Sequence, residues 1–427
     1  SNPADWVITL DAGTYDLYEA IPAGWALGSA SCDDGQGTAD LLAGSLTGIT
    51  IEPLDNIVCT FVDVALGHFS TTKIAVGGDD TFGFTTTVGG DTSFDIATSG
   101  GTGTAPAIDN VNVGTYQVQE TTIPAGWAFV SATCTDQNGA TVDTATPVAN
   151  GVEFSQAPGQ TTSCAFTNVK LATIVIDKVT NPAGNTTDSF TFDVDANLGG
   201  CTQSLMDGES FQLINVPVDP DGITRTAYTI VEQDPAPGFD LSAIDCATLP
   251  QQVVEPSTGD VPNRTANINI AAGETVNCTF TNTARASIRV EKAITSDPGT
   301  LSTLFNFTST FDAPFSIDPV NDPVPYVDFI DLPPGDGYAI GELNPNPQGW
   351  DLVAATCQTQ DELVDLDTGL ISNISLQPGD TIHCTFLNAP LGSATIVKLA
   401  AGEDATFGFF GSQEPFFNGG AGFDITT

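Results

Sequence analysis

Positive charge is what this 427-residue sequence most lacks. Nine lysines and arginines stand against 53 aspartates and glutamates, a formal charge of −44. Such a surface repels phosphate backbones and anionic lipid, so neither nucleic-acid binding nor membrane insertion is expected. Charged residues make up only 15% of the chain, so the imbalance comes from missing bases rather than from acidic runs. It reads as a solvated surface suited to salt or to an exposed environment. Histidine is nearly absent too, limited to His68 and His383, and no CxxC occurs, which removes zinc, haem and thioredoxin-type chemistry. Without GxSxG, HExxH, a phosphate loop or a basic cleft, an enzyme is not expected. No signal peptide, transmembrane run or sorting motif is evident, and Ser1-Asn2-Pro3 reads as a processed or trimmed end. Asp219/Asp221 and Asp193/Asp195 are oxygen pairs of the sort calcium uses, but neither completes a calcium loop. No cofactor or metal site is therefore expected, structural calcium being the one alternative.

A sustained helical period is also missing. The apolar pattern has period two, as in Phe82-Gly83-Phe84 and Phe190-Thr191-Phe192-Asp193-Val194, punctuated by turn residues. With 43 glycines, 27 prolines and a hydrophobic share of 41%, the composition predicts an all-β sandwich architecture rather than disorder.

What is present is a repeat. The segment Tyr15-Asp-Leu-Tyr-Glu19 through Trp25 returns as Tyr116 to Trp127, Tyr228 to Phe239 and Tyr338 to Trp350. Seven residues after each closing aromatic comes a cysteine: Cys32, Cys134, Cys246, Cys357. A second cysteine, Cys59, Cys164, Cys278 or Cys384, opens a short strand (CTFVD, CAFTN, CTFTN, CTFLN) ending at Asp63, Asn168, Asn282 or Asn388. A lysine follows on the next apolar strand: Lys73, Lys178, Lys292 and Lys398, four of the five in the chain. Their spacings of 105, 114 and 106 residues suit separately folded domains. The expected domains are 67–169, 170–284 and 285–390. Residues 1–66 hold the glutamate, tryptophan and cysteine features without a lysine strand, and 391–427 hold the lysine and Phe-Gly-Phe strands alone. The expectation is three complete sandwiches and two complementary partial ones. The aromatics Trp25, Trp127, Phe239 and Trp350 are expected in cores against the disulfides rather than as sugar platforms.

Nine cysteines give one pair per unit, Cys32–Cys59, Cys134–Cys164, Cys246–Cys278 and Cys357–Cys384, with Cys201 left over, expected as a free buried thiol, the alternative being an intermolecular link. Repeated pairs imply an oxidising, extracellular or cell-surface setting. Each bridge would stabilise its domain by roughly 3–4 kcal/mol in the chain-entropy model.

Three residue types recur in every full unit: Lys73, Glu120, Asn168; Lys178, Glu232, Asn282; Lys292, Glu342, Asn388. With the Ile-x-Val-x-Lys opening, the Tyr-x-x-x-Glu…Pro-x-Gly-aromatic segment and the closing Phe-x-Asn, the chain resembles the CnaB/SpaA-type domains of bacterial surface proteins and pilins. That resemblance implies a prealbumin-like, immunoglobulin-like sandwich and an intramolecular isopeptide bond from lysine to asparagine, assisted by the glutamate. Burial favours a neutral amine and a protonated carboxyl, and fixed neighbours need no encounter. The alternative is a buried salt bridge with a hydrogen-bonded amide. Lys398, Glu19 and Asp63 form a fourth set divided between the two partial units, with Asp in the place of Asn.

Function follows from the partial units. Open sheet edges pair readily with another chain. The expected protein is a structural subunit of an extracellular bacterial, pilus-like filament. Residues 391–427 of one copy would complete 1–66 of the next by strand complementation, a head-to-tail homopolymer. The alternative is a window of a long adhesin or stalk of tandem domains.

Overall fold

The computed structural model describes residues 5–250, 255–296, 299, 301–343, 349–359, 362–392, 395–409 and 423–426. The chain divides into two compact units, 1–283 and 284–427. Strand periodicity builds both. Ala172–Asn181, for example, buries Ala172, Ile174, Ile176, Lys178 and Thr180 on one face and turns the intervening residues outward. Among the described residues, helix is limited to one 3₁₀ turn at Ala196–Leu198, and no helix is long and apolar enough to cross a membrane.

Three sandwiches share one layout. In residues 67–170 one sheet runs Ile108–Val111, Gly67–Val76, Thr161–Lys170, Trp127–Thr135. The facing sheet runs Asp143–Val148, Gly151–Gln156, Gly114–Thr122, Thr81–Thr86, Thr92–Ala97. The next sandwich repeats the first sheet as Ser210–Val216, Ala172–Asn181, Thr275–Ala284, Phe239–Leu249. The sandwich of the second unit repeats it as Tyr326–Leu332, Ala286–Ile294, Thr381–Pro390, Trp350–Cys357. In each, the lysine strand and the last strand lie side by side and parallel, the whole domain serving as the crossover between them. The disulfides Cys134–Cys164, Cys246–Cys278 and Cys357–Cys384 tie the last strand to its neighbour, as Cys32–Cys59 does in the head. Cys201 is unpaired and exposed, not buried as expected. It immediately precedes Thr202–Leu205, the edge strand of its sheet.

The head, residues 5–66, is the same sandwich with strands missing from both layers. Trp25–Cys32 pairs with Cys59–Ala65, and Ser45–Ile51 pairs with both Gly13–Tyr18 and Thr38–Asp40. No lysine strand flanks Cys59–Ala65, and no Phe-x-Phe strand flanks Gly13–Tyr18. The core is correspondingly open. Leu17 is 36% exposed, whereas Val118, Ile230 and Ile340 at the same position are at 0%. Trp25 is 47% exposed against 6% for Trp127 and 3% for Trp350, so the core placement expected for it fails. Its covering ring is absent from the head: Phe82 packs edge-on to Trp127 at 5.1 Å and Phe305 to Trp350 at 5.5 Å. Residues 5–11, which match the edge strand Ile108–Val111, form no strand, and Trp6 and Val7 are exposed.

In the tail, Thr406–Phe409 pairs with Phe423–Thr426 as Phe407↔Ile425, Gly408↔Asp424 and Phe409↔Phe423. The hairpin of the complete sandwich reads Phe82↔Ile96, Gly83↔Asp95 and Phe84↔Phe94, the same register. Residues 395–402, which contain the expected lysine strand, are not in a strand. An isolated segment has no neighbour to take its backbone hydrogen bonds.

Within the first unit, consecutive domains meet through one kind of turn. Gly159 N–H donates to Ala65 O at 2.9 Å, and Gly273 N–H to Lys170 O at 2.9 Å. At the second junction, Gly273 and Gly77 both have positive φ, and a Cβ on Gly273 would lie 2.2 Å from Gly77 O. Only glycine permits both the backbone angle and the approach. Arg225 braces this turn, forking onto Glu274 at 3.1 and 2.6 Å.

Candidate functional site

Strand register creates the same cluster three times. Lys73 stands opposite Phe166, so Asn168, two residues on, shares its face; Lys178 and Asn282, and Lys292 and Asn388, repeat the relation. The glutamate arrives from the facing sheet, opposite the second phenylalanine of the Phe-x-Phe strand: Glu120↔Phe84, Glu232↔Phe192, Glu342↔Phe307. All nine side chains are buried.

Each ammonium lies over the first phenylalanine of that strand: Lys73 at 4.3 Å from the Phe82 centroid, Lys178 at 4.1 Å from Phe190, Lys292 at 4.2 Å from Phe305. Lys73 Nζ is 3.3 Å from Glu120 Oε1. In the second cluster Asn282 Nδ2 donates to Glu232 Oε1 at 2.7 Å, and Lys178 Nζ donates to the carbonyls of Val179 and Phe280. The third cluster is the most closely knit. Lys292 Nζ donates to Asn388 Oδ1 at 2.8 Å, and Asn388 Nδ2 donates to Glu342 Oε1 at 2.6 Å. Burial pulls Lys73, Lys178 and Lys292 down from an ordinary 10.5 to about 8, against the pull of the carboxylates. It pushes Glu120, Glu232 and Glu342 up. Both shifts favour a neutral amine beside a neutral acid.

A stable ion-pair core should satisfy its polar atoms. These clusters do not. Glu120 Oε2, both polar atoms of the Asn168 amide, Glu232 Oε2 and Asn282 Oδ1 are buried without a hydrogen-bond partner, while Glu120 Oε1 and Glu342 Oε2 face only the lysine ammoniums, at 3.3 and 3.7 Å. An amine held against an amide carbonyl, with a raised carboxyl at the amide nitrogen, can form a Lys–Asn amide. The Nζ–Cγ bond forms, the Cγ–Nδ2 bond breaks, and the glutamate carries a proton from Nζ to the departing ammonia.

The fourth set stands in two places. Glu19 and Asp63 lie together in the head, where Glu19 Oε2 and Asp63 Oδ1 are buried without a partner. Burial and the Asp63 carboxyl push Glu19 up. Lys398 belongs to the second unit, its Nζ 3.9 Å from the Phe407 centroid. The phenylalanines under the lysines were not singled out from sequence. The signal was there, since each of the four repeat lysines is followed within 9 to 13 residues by a Phe-x-Phe pair. Of the aspartates weighed for calcium, Asp221 accepts from the backbone of Ile223 and Thr224, and Asp195 from that of Asn197 and Thr229. Among the described residues no group of three or more potential ligands is placed to hold a metal.

These sandwiches, with parallel first and last strands and an internal lysine, glutamate and asparagine, are prealbumin-like domains. Residues 69–170 and 174–284 match the family model for the SpaA-type prealbumin-like fold domain, and these two domains belong to that family. Among solved structures it is similar to the Bacillus anthracis TIE protein (14% identity, 88% of this chain and 69% of that one, TM-score 0.29). It is also similar to BcpA, the major pilin subunit of Bacillus cereus (11%, 76% and 99%, TM-score 0.30). The major pilin from Streptococcus pyogenes is a third (15%, 51% and 99%, TM-score 0.23). No curated protein matches the chain.

Proposed function

We propose that this protein is the structural subunit of an extracellular, pilus-like fibre. In it, residues 391–427 of one copy complete the sandwich begun by residues 5–66 of the next, and Lys–Asn amides lock the three complete domains. The observation that carries the reading is the strand-for-strand match of head and tail. The head lacks one inner strand in each layer, and the tail holds the lysine segment and a Phe-Gly-Phe hairpin in the register of the complete domain. Docked in that register, Phe407 covers Trp25 as Phe82 covers Trp127, and Phe409 meets Phe61 as Phe84 meets Phe166. Leu17 leaves water, and residues 5–11 gain the lysine strand as a partner, as Ile108–Val111 has in the complete sandwich. Covering the exposed third of Leu17 and half of Trp25 contributes roughly 0.5–1.5 kcal/mol each, before the backbone pairing of a whole strand. The head-to-tail contact is heterologous, so it extends rather than closes.

Deleting residues 391–427 tests this. The truncated chain should stay folded and form no fibres, with Trp25 emission remaining that of a wet indole. Fibres formed by the truncated chain would refute strand complementation. Intact mass of the wild-type chain should fall short of the sequence mass by one ammonia for each intradomain amide, and a full sequence mass would refute those bonds.

A further inference from the structure

We propose that the joint between copies is itself covalent: an amide between Lys398 of one copy and Asp63 of the next, with Glu19 carrying the proton. This rests on the complementation reading and adds a bond to it. Residues 1–66 contain no lysine, arginine or histidine, yet the head holds two half-buried, facing carboxyls, each with one buried oxygen that lacks a hydrogen-bond partner. No cation of that segment can answer them. Within residues 391–427 the single basic residue is Lys398.

Register puts the three groups in the positions of the complete clusters. Asp63 stands opposite Leu27 in the head, as Asn168 stands opposite Phe129 and Asn388 opposite Leu352. Glu19 occupies the place of Glu120, Glu232 and Glu342 in the Tyr-x-x-x-Glu strand. Lys398 already rests on Phe407 at 3.9 Å, the contact the three internal lysines make at 4.1 to 4.3 Å. Laid beside Cys59–Ala65 in the parallel register of the complete domains, Lys398 faces Phe61 and has Asp63 two residues on.

The chemistry differs from the internal sites in its leaving group. The Lys398 Nζ–Asp63 Cγ bond forms, one Cγ–O bond breaks, and that oxygen departs as water with the two protons Nζ gives up, relayed through Glu19. No oxidant, nucleotide or second enzyme enters the balance. Aspartate also suits a site that must first capture its partner. A carboxylate draws the arriving ammonium, which an amide does not, whereas the internal lysines are delivered by folding.

The test uses fibres of the full chain, boiled in detergent with reductant. The expected result is a ladder of multimers, and after digestion a branched peptide joining Lys398 to Asp63 that is one water lighter than its parts. Asp63→Ala and Glu19→Gln should still assemble, yet fall to single chains in detergent. Asp63→Asn should restore the ladder, the branched peptide keeping the wild-type mass because ammonia leaves in place of water. Wild-type fibres that dissolve wholly to single chains would overturn the covalent joint and leave complementation standing. A wild-type chain that forms no multimers, in detergent or without it, would overturn both.

Discussion

Replacing Glu232 by glutamine separates the chemistry of a cluster from its packing. The variant keeps the length of the side chain and can still meet Asn282 Nδ2, now at 2.7 Å from Glu232 Oε1, but it cannot carry a proton. Lys178 would then remain an amine over Phe190, with only the Val179 and Phe280 carbonyls as acceptors. Two losses follow. A crosslink closing a loop of about 100 residues contributes roughly 4–5 kcal/mol in the chain-entropy model, somewhat less here because Cys246–Cys278 already closes part of it. A buried cation deprived of its partner costs about 3–5 kcal/mol. Even one of these is a large share of a domain's roughly 5–15 kcal/mol, and at about 4 °C per kcal/mol it lowers melting by roughly 15 °C. Calorimetry of the full chain should show one transition displaced and the others in place, with the deficit of intact mass against the variant's own sequence mass one ammonia smaller than in wild type. The pH dependence supplies a second readout. Unfolded Lys178 titrates near 10.5 and the folded group at about 8, lower still without Glu232, so between those values the unfolded state holds more protons. Stability of the variant domain therefore rises with pH across that window, whereas a lysine already consumed in an amide gives no slope. An unchanged mass deficit in the variant would refute the role of Glu232, and a rising slope in the wild type would refute the bond.

Two further predictions concern the rest of the chain. Gly273→Val drives a side chain into Gly77 O, so the amide of residue 273 should lose its bond to Lys170 and exchange with deuterium at least tenfold faster, while the transitions of the flanking domains stay in place. Protection equal to wild type would show that the junction yields without opening. Maleimide should label one thiol of the native, unreduced protein, Cys201, and all nine after reduction and unfolding; native labelling of a second would contradict the four bridges.

Much of this was legible because the chain is so poor in bases. In a lysine-rich protein, four lysines at one repeat position would pass unremarked, whereas here they pointed at the cluster. The cysteine arithmetic and the period-two strands were equally open to reading, since each depends on local spacing. What escaped is what a neighbouring strand decides. Trp25 closes the same Pro-x-Gly-aromatic motif as Trp127, yet one is half exposed and the other buried, because the covering phenylalanine lies outside the motif. Cys201 looked like a core thiol until its strand proved to be an edge. The lysine segment at 395–402 has the composition of a strand and no partner to make it one. Arg225 and Glu274, 49 residues apart, meet because the antiparallel pairing Thr226↔Ile270 brings their strand ends together.

The parallel pairing of first and last strands has a mechanical meaning. Tension along the chain enters a sandwich at Gly67 and leaves at Lys170, opposite ends of two adjacent strands, so it shears the whole ladder instead of peeling it rung by rung. With an amide from Lys73 to Asn168 the load crosses from one strand to the other through that bond. Residues 74–167 then hang beside the load path and are never stretched. A fibre of such domains has links that cannot pay out length under force.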